Sequence, residues 1–206
     1  MKTKFTFIFF LCVLCVLFPI VGCSEPELSE WKQSVRKLRS QFGLKPDDFA
    51  IIIDVSEQKL YLIKGEEIVR SYPVSTSKYG TGNKKGSNKT PLGTHIIAKK
   101  IGEGAKIGAI FKFRKNSGKI AEIYTDATDI QKDLITTRIL WLKGIEPGVN
   151  QGEGIDSYNR CIYIHGTPEE GLIGRPASSG CIRMKNKDVI ELFELVLQGT
   201  LVEIHK

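Results

Sequence analysis

Two residues near the carboxyl end of the chain have side chains that could support nucleophilic catalysis. Cys181 lies within the segment Ser178–Arg183, and His165 lies earlier in the chain, directly before Gly166. Only a thiolate attacks a carbonyl efficiently, and a free thiol with a pKa of about 8.5 is mostly protonated at neutral pH. An imidazole that accepts the thiol proton, forming an ion pair, would favour the thiolate. The two residues, each beside a glycine, therefore predict a nucleophile and its base.

The neighbours of these two residues suit the same chemistry. Arg183 would add positive potential beside the thiol and could hold a substrate carboxylate in its planar fork. Gly180 permits a tight turn, in which the backbone N–H groups of Gly180 and Cys181 are candidates for an oxyanion hole. Tyr163 shares a strand face with His165, so it either lines a cleft or packs in the core.

The elements that must position these residues are mostly strands. Period-two alternation of apolar residues predicts strands over 50–55, 59–64, 68–75, 94–98, 137–142, 160–165 and 201–204. The first three, joined by short turns, predict an antiparallel meander. Residues 77–93 are rich in Gly, Lys, Asn and Ser and predict a long surface loop, whereas 102–120 has no clear period.

Two helices are predicted, one near each end of the exported part. Asn186 is a candidate cap for a helix that stops before Gly199. Near the amino end, Ser24 and Glu27 have the spacing of a capping box, and the helix would end near Gly43. An apolar stripe at spacings of three and four follows this start, and its members are Leu28, Trp31, Val35, Leu38 and Phe42. We expect this helix to pack on the domain or to space it from a membrane.

The first residues have the pattern of an export signal. Lys2 and Lys4 precede a run without charged side chains over 5–23, which is typical of a secretory signal peptide. The run ends in a glycine followed by Cys23, which resembles the lipobox of bacterial lipoproteins. Processing there would remove residues 1–22 and make Cys23 the lipidated terminus. The alternative is an uncleaved membrane helix, because the run is just long enough to span a bilayer.

Composition limits the class of protein. The chain has 206 residues, of which 41% are hydrophobic and 26% charged, which excludes a collagen, a disordered tail and a polytopic membrane protein. The formal net charge is +7 and there are five cysteines, too few for a disulfide-built scaffold. Export makes nucleic acid an improbable partner, so the positive charge fits an anionic envelope polymer or lipid, with simple solubility as the alternative.

The His165-Gly166 pair followed by Ser178–Arg183 resembles the signature of the L,D-transpeptidase (YkuD) catalytic domain. That signature is a His-Gly pair and, after a loop, Ser-(often His)-Gly-Cys-x-Arg. The opening meander, Thr90–Gly93 and the segment 162–167 resemble the family as well, so the likeness covers about residues 48–206. It implies a mainly β domain, an antiparallel sandwich or meander with a few short helices. The signal (1–22) and a lipid anchor, helix and linker (23–47) would precede it.

The resemblance also implies a reaction. Cys181 would attack the carbonyl of the L-centre of the third residue of a peptidoglycan stem peptide, and an amine acceptor would then resolve the thioester. His165 would act as the base, and the Gly166 carbonyl would orient the imidazole. Gly180, Ser179 and Ser178 would support the site, Arg183 would contact the substrate or brace the site, and no metal or organic cofactor is implied. Ser179 departs from the family pattern, because many members have His there.

The acceptor and the location follow only in outline. The candidate acceptors are a second stem peptide, an outer-membrane lipoprotein and a free D-amino acid. The protein is expected in the periplasm, held to a membrane by lipid on Cys23. Ser24 is not an Asp-type retention signal, which favours the outer membrane over the inner one. Two alternatives remain: an L,D-carboxypeptidase or hydrolase with the same site, and a catalytically weak wall-binding lipoprotein.

The remaining cysteine and histidines receive simpler interpretations. Cys161 is expected mid-strand as a small buried residue, about 13 Å from His165 along the strand at about 3.3 Å per residue. That spacing disfavours a disulfide with Cys181. His95 and His205 are expected to be packing or surface residues.

Overall fold

The computed structural model describes residues 29–130 and 132–206. The predicted signal, Cys23 and the capping-box residues Ser24 and Glu27 lie outside these ranges. In chain order the elements are α1 (Glu30–Phe42), β1 (Phe49–Asp54), β2 (Lys59–Lys64), β3 (Glu67–Pro73), β4 (Gly93–Ile101), β5 (Ala109–Lys112), β6 (Lys115–Ile120), β7 (Ile135–Gly144), β8 (Tyr163–Gly166), a 3-10 turn (Glu170–Leu172), β9 (Ile182–Met184), α2 (Asn186–Leu195) and β10 (Leu201–His205). Within the described ranges, no helix has the length and apolar character needed to cross a bilayer.

The ten strands of the described ranges form one hydrogen-bonded sheet. Its main path is β3-β2-β1-β10-β4-β7-β5-β6, and β8 pairs with β7 and β9. Most neighbours are antiparallel, while β1–β10 and β8–β9 are parallel. The mainly β fold and the opening meander are therefore confirmed. The parallel pairs are not predicted by the sequence pattern, because alternation within a strand does not specify its partner.

Strand β1 is a continuous apolar run because both of its faces are covered. Ile51 and Ile53 belong to the central core, together with residues of β2, β4, β7, β10 and α2. Ala50 and Ile52 point to the opposite face, where α1 packs. A strand buried on both faces loses the polar alternation of a half-exposed strand.

Helix α1 packs on the sheet, as expected if its apolar stripe contacts the domain. Val35 and Leu38 are buried against Ala50 and Ile63. The helix begins at Glu30, directly after Ser29, whose backbone is extended with φ −52° and ψ 142°. It ends where expected, at Gly43, whose φ of 71° lies in the left-handed region that favours glycine.

The region 102–120 contains a hairpin that the sequence pattern does not predict. Strands β5 and β6 pair antiparallel, and the turn between them is made by Phe113 and Arg114 with φ of 49° and 66°. A turn with two positive φ values is usually marked by Asn or Gly. Because neither residue type is present at this turn, the sequence contains no turn signal there.

Strand β8 begins at Tyr163, three residues later than predicted from Arg160. The preceding residues form a turn, in which the Asp156 carboxylate accepts the Asn159 N–H at 2.8 Å. Cys161 ends this turn with a φ of 57° and is only half-buried. The prediction that Cys161 stands mid-strand is therefore wrong, and the distance estimate based on it no longer applies.

Helix α2 begins at Asn186 and ends at Leu195. The residue in the cap position is Lys185, so the prediction that Asn186 caps the helix is wrong. The helix also stops well before Gly199, because Val196 already has an extended backbone.

Candidate active site

The pairing of β8 with β9 brings the predicted nucleophile and base to one face of the sheet. The two strands are parallel, with His165 opposite Arg183. Side chains alternate along a strand, so Cys181, directly before β9, is expected to share the face of Arg183 and His165. The intervening residues, Ile164 and Ile182, point the other way and are fully buried in the central core.

The imidazole of His165 is fully buried and oriented by its neighbour. Its Nδ1 lies 2.8 Å from the Gly166 carbonyl oxygen. Because a carbonyl can only accept a hydrogen bond, Nδ1 carries the proton and Nε2 keeps its lone pair. Within the described part of the chain, Nε2 has no hydrogen-bond partner. Burial lowers the pKa of His165, while the negative charge of Asp133 and the Gly166 carbonyl oppose this shift in part.

The thiol of Cys181 is held by backbone groups. Its sulfur accepts the Tyr163 N–H at 3.4 Å and donates to the Cys161 carbonyl oxygen at 3.5 Å. Burial, with a smaller contribution from the negative charge of Asp133, raises the pKa of Cys181 to about 12. The Tyr163 N–H and Arg183 act in the opposite direction without reversing the shift.

These shifts favour a neutral pair at rest instead of a preformed thiolate–imidazolium pair. A thiol with a raised pKa and an imidazole with a lowered pKa both remain uncharged at neutral pH. A transfer of the thiol proton to Nε2 would require the S–H group to leave the Cys161 carbonyl oxygen. Catalytic hydrogen bonds are often incomplete in free enzymes and form only with substrate.

Gly166 is required by close approach of its neighbours. A Cβ at this position would lie 2.6 Å from Asn186 Oδ1 and 2.8 Å from the Thr136 carbonyl oxygen. Asn186 also accepts the Thr136 hydroxyl at 2.7 Å and donates to the Thr167 carbonyl at 2.7 Å. Asn186 therefore fixes the backbone that follows His165, a function that its position at a helix start does not reveal.

The turn before Cys181 is built from the predicted serines and glycine. The Ser178 hydroxyl donates to the Cys181 carbonyl at 2.6 Å and accepts the Gly180 N–H at 3.3 Å. Gly180 has a φ of 122°, a conformation that favours glycine. Ser179 is exposed, and its N–H donates to the Asp133 carboxylate at 3.0 Å. Because the Gly180 N–H contacts Ser178, its part in an oxyanion hole stays a prediction.

Arg183 braces the site from within the protein. Its guanidinium contacts Glu169 Oε2 at 2.6 Å and Asp133 Oδ1 at 2.9 Å. The side chain of Arg183 is only 5% exposed, so the bracing alternative fits better than a direct fork on substrate. The sequence analysis did not identify either acidic residue as part of the site, because both lie in loops without a periodic pattern.

Replacing Arg183 by methionine is expected to destabilise the fold strongly. Glu169 is 1% exposed, and a buried carboxylate that loses its partner costs about 3–5 kcal/mol. Urea unfolding of Arg183→Met measures the loss, and adding Glu169→Gln should recover part of it. The matched control is Arg70→Met, which breaks an exposed pair with Glu191 and should change little. Equal losses for Arg183→Met and the control would contradict the bracing function.

Tyr163 is buried in an aromatic cluster instead of lining an open cleft. It is 4% exposed and meets the Trp141 ring edge-on, with centroids 5.6 Å apart. Arg114 donates to the Tyr163 hydroxyl at 3.1 Å and lies over the Trp141 ring at 4.6 Å. The same guanidinium lies 3.6 Å from Cys161 Sγ. The core alternative therefore fits Tyr163 better than a substrate contact.

The other histidines lie outside this arrangement. His95 is buried and lies 2.9 Å from the Ser157 hydroxyl, so it packs as expected. His205 joins Glu30 and Asp54 in a group whose potential ligand atoms lie within 4.8 Å of one another. This group belongs to α1, β1 and β10 and does not include Cys181.

Comparison with known proteins places these features in a family. The YkuD family model, described as an L,D-transpeptidase catalytic domain, matches residues 48–204. YkuD of Bacillus subtilis, a proposed L,D-transpeptidase, is 56% identical over 43 residues, which are 21% of this chain and 26% of the relative. YqjB, a proposed L,D-transpeptidase of the same species, is 49% identical over 45 residues, covering 22% and 26%. The aligned segment thus spans about a quarter of the length of these relatives.

Solved structures of L,D-transpeptidases are similar at lower identity. An enzyme from Mycobacterium smegmatis is 15% identical, with a TM-score of 0.46, over 77% of this chain and 59% of that one. A domain from Xylanimonas cellulosilytica is 18% identical, with a TM-score of 0.45, over 84% and 69%. The family model alone spans well over half of the residues and includes both His165 and Cys181. The chain therefore belongs to the family of L,D-transpeptidase catalytic domains.

Proposed function

We propose that this protein is a cysteine-dependent L,D-transpeptidase that acts on peptidoglycan stem peptides. The observation that carries the proposal is that Cys181 directly precedes β9, which pairs with the strand of a buried imidazole whose Nε2 is unpartnered within the described residues. The hydrogen bond from Nδ1 to Gly166 keeps this lone pair available. The family supports the substrate class.

The reaction proceeds in two steps, acylation of Cys181 and aminolysis of the resulting thioester. The Cys181 sulfur bonds to the carbonyl carbon of the third residue while its proton passes to His165 Nε2. The C–N bond to the following D-amino acid then breaks, and the leaving amine takes that proton. An acceptor amine attacks the thioester, gives a proton to His165, and releases the sulfur, which recovers the proton. The imidazole thus acts as base and acid in turn.

Product analysis tests the proposal directly. The purified protein is incubated with disaccharide-tetrapeptide, and the products are identified by mass spectrometry. Cross-linked dimers are expected if a second stem peptide serves as acceptor. Tripeptide alone would indicate that water is the acceptor and would make the protein an L,D-carboxypeptidase. Absence of any product, together with no carbapenem adduct on Cys181, would contradict catalysis and leave a wall-binding protein.

We further propose that the protein is exported and lipid-anchored in the cell envelope, facing the periplasm. The support is the charge-free run 5–23 and the glycine before Cys23. The mature protein should carry a mass increment for acyl chains on Cys23 and fractionate with membranes. A Cys23→Ser variant should lack the acyl chains. If the mature variant had the same mass as the mature unmodified protein, apart from the Cys-to-Ser difference, lipidation would be contradicted. Sucrose-gradient separation of inner and outer membranes then tests the expected outer-membrane location.

A further inference from the structure

A small hollow borders the turn that carries the nucleophile. It has a volume of about 190 Å³ and reaches Ser179 at the tip of the turn. Ile162 forms part of its wall, and Lys85 and Arg160 contribute positive charges. Ile162 also approaches Gly180, since a Cβ built on that glycine would lie 3.6 Å from Ile162 Cδ1. The hollow is therefore adjacent to the residues that immediately precede Cys181.

Arg160 is a half-buried cation whose described partners are neutral. Its guanidinium donates to the Gly82 carbonyl at 3.1 Å and to the Lys89 carbonyl at 2.5 Å. Among the described residues, no carboxylate lies within 4 Å of it. Burial lowers the pKa of Arg160, and a negative charge on Cys181 would oppose this shift. A partly desolvated cation of this kind favours an anionic ligand.

Lys85 lies on the same hollow and is positioned by its backbone. Its N–H donates to the Gly154 carbonyl at 2.7 Å, while its side chain is exposed. An adjoining hollow of about 260 Å³ shares Lys85 and Arg160 and includes Glu153 and Asp156. Neither of these two carboxylates comes within 4 Å of the two cations in the described structure, and Asp156 accepts the Asn159 N–H instead. The positive charges are thus not neutralised by direct ion pairs.

We propose that Lys85 and Arg160 form a subsite for a carboxylate of the peptide that occupies the active site. The inference rests on the proposed function and specifies its substrate class: a peptide with a free carboxylate close to the reacting amide, in preference to the corresponding carboxamide. The guanidinium fork supplies directional N–H donors, and the ammonium adds a mobile charge at the rim. The carboxylate belongs either to the acyl donor or to the acceptor, because both must approach Cys181.

Binding is measured with the Cys181→Ala protein, so that the result does not depend on turnover. Three synthetic tetrapeptides, built with a carboxylate on the side chain of the third residue, are compared: the free acid, one in which that side-chain carboxylate is a carboxamide, and one with a carboxamide at the C-terminus. We expect the free acid to bind about tenfold more tightly than one of the amides, the size of one charge-assisted hydrogen bond. Equal affinity for all three would overturn a donor subsite.

Variants assign the preference to the two cations. Lys85→Gln and Arg160→Gln, each in the Cys181→Ala background, should reduce the acid-to-amide preference to near unity and affect the preferred amide little. Lys84→Gln is the matched control, because Lys84 is the exposed neighbour that does not line the hollow. Since Arg160 also holds the loop carbonyls, Lys85→Gln remains decisive if Arg160→Gln fails to fold. A preference that survives in Lys85→Gln and in a folded Arg160→Gln would overturn the proposal.

A second measurement distinguishes donor from acceptor. Formation of the acyl-enzyme by the unmodified enzyme is followed by intact mass, first with acid and amide donors. Aminolysis of a preformed acyl-enzyme is then followed with acid and amide acceptors. A preference in either step that Lys85→Gln removes supports the subsite and identifies the occupant, and no preference in both steps overturns it. Discrimination in binding without any acyl-enzyme would instead refute the proposed function while the subsite stands.

Discussion

Replacing Cys181 by alanine should reduce transpeptidation by at least about a thousandfold, since loss of a covalent nucleophile removes the reaction path itself. The fold should survive, because the hydrogen bonds that the sulfur makes within the described residues join it to two backbone groups, the Tyr163 N–H and the Cys161 carbonyl. Acyl-enzyme formation, followed by intact mass spectrometry, is the measurement.

A matched control separates the nucleophile from its neighbour. Cys161→Ser removes the other described thiol. The main-chain carbonyl of Cys161 accepts the hydrogen bond of the Cys181 thiol. This variant keeps that carbonyl and should retain most activity. Activity of Cys181→Ala near the unmodified level would refute the assignment of the nucleophile. A large loss in Cys161→Ser alone would transfer that assignment to Cys161.

Replacing His165 by glutamine should lower the rate of acylation by about 10²–10⁴-fold, the usual contribution of a positioned general base. Glutamine fills most of the space of the ring but cannot accept and return a proton near neutral pH. A residual rate close to that of the unmodified enzyme would exclude His165 as the base.

The pH dependence provides an independent test of the same residue. The imidazole must be neutral to act as a base, and burial lowers the pKa of His165 from its ordinary value of 6.5. The midpoint of protonation therefore lies below pH 6.5, so the midpoint of the acidic limb of acylation should lie below that pH. A limb at or above 6.5 would contradict a buried neutral base, and His165→Gln should lack the limb.

The pKa of the Cys181 thiol is shifted in the direction opposite to that of the His165 imidazole. Because burial raises the pKa of Cys181 to about 12, the fraction of thiolate increases with pH throughout the neutral and moderately alkaline range. Alkylation of the free enzyme by iodoacetamide should therefore be slow near neutrality and accelerate about tenfold per pH unit, because the thiolate is the reactive form. Rapid, pH-independent alkylation near neutrality would instead indicate a resting ion pair.

For Cys181 and His165, the sequence predicts the chemical functions, whereas the structure determines the resting charges. The residue types at 165 and 181 predict a nucleophile and a base, since few other side chains can perform those functions. Their resting charges depend on burial and on the approach of Asp133, which comes from a segment without any pattern. Electrostatic energies vary steeply with distance and solvation, and neither can be read from local sequence.

By itself, the sequence determined the mainly β character, the meander of β1–β3 and the motif residues, because alternation, turns and residue chemistry are local properties. Only the tertiary structure decided that β8 and β9 run in parallel, that Arg183 is enclosed by two acids, and that Asn186 organises the backbone after His165. Those contacts join residues far apart in the chain. Such contacts form only when the complete sheet has assembled, so no local sequence pattern predicts them.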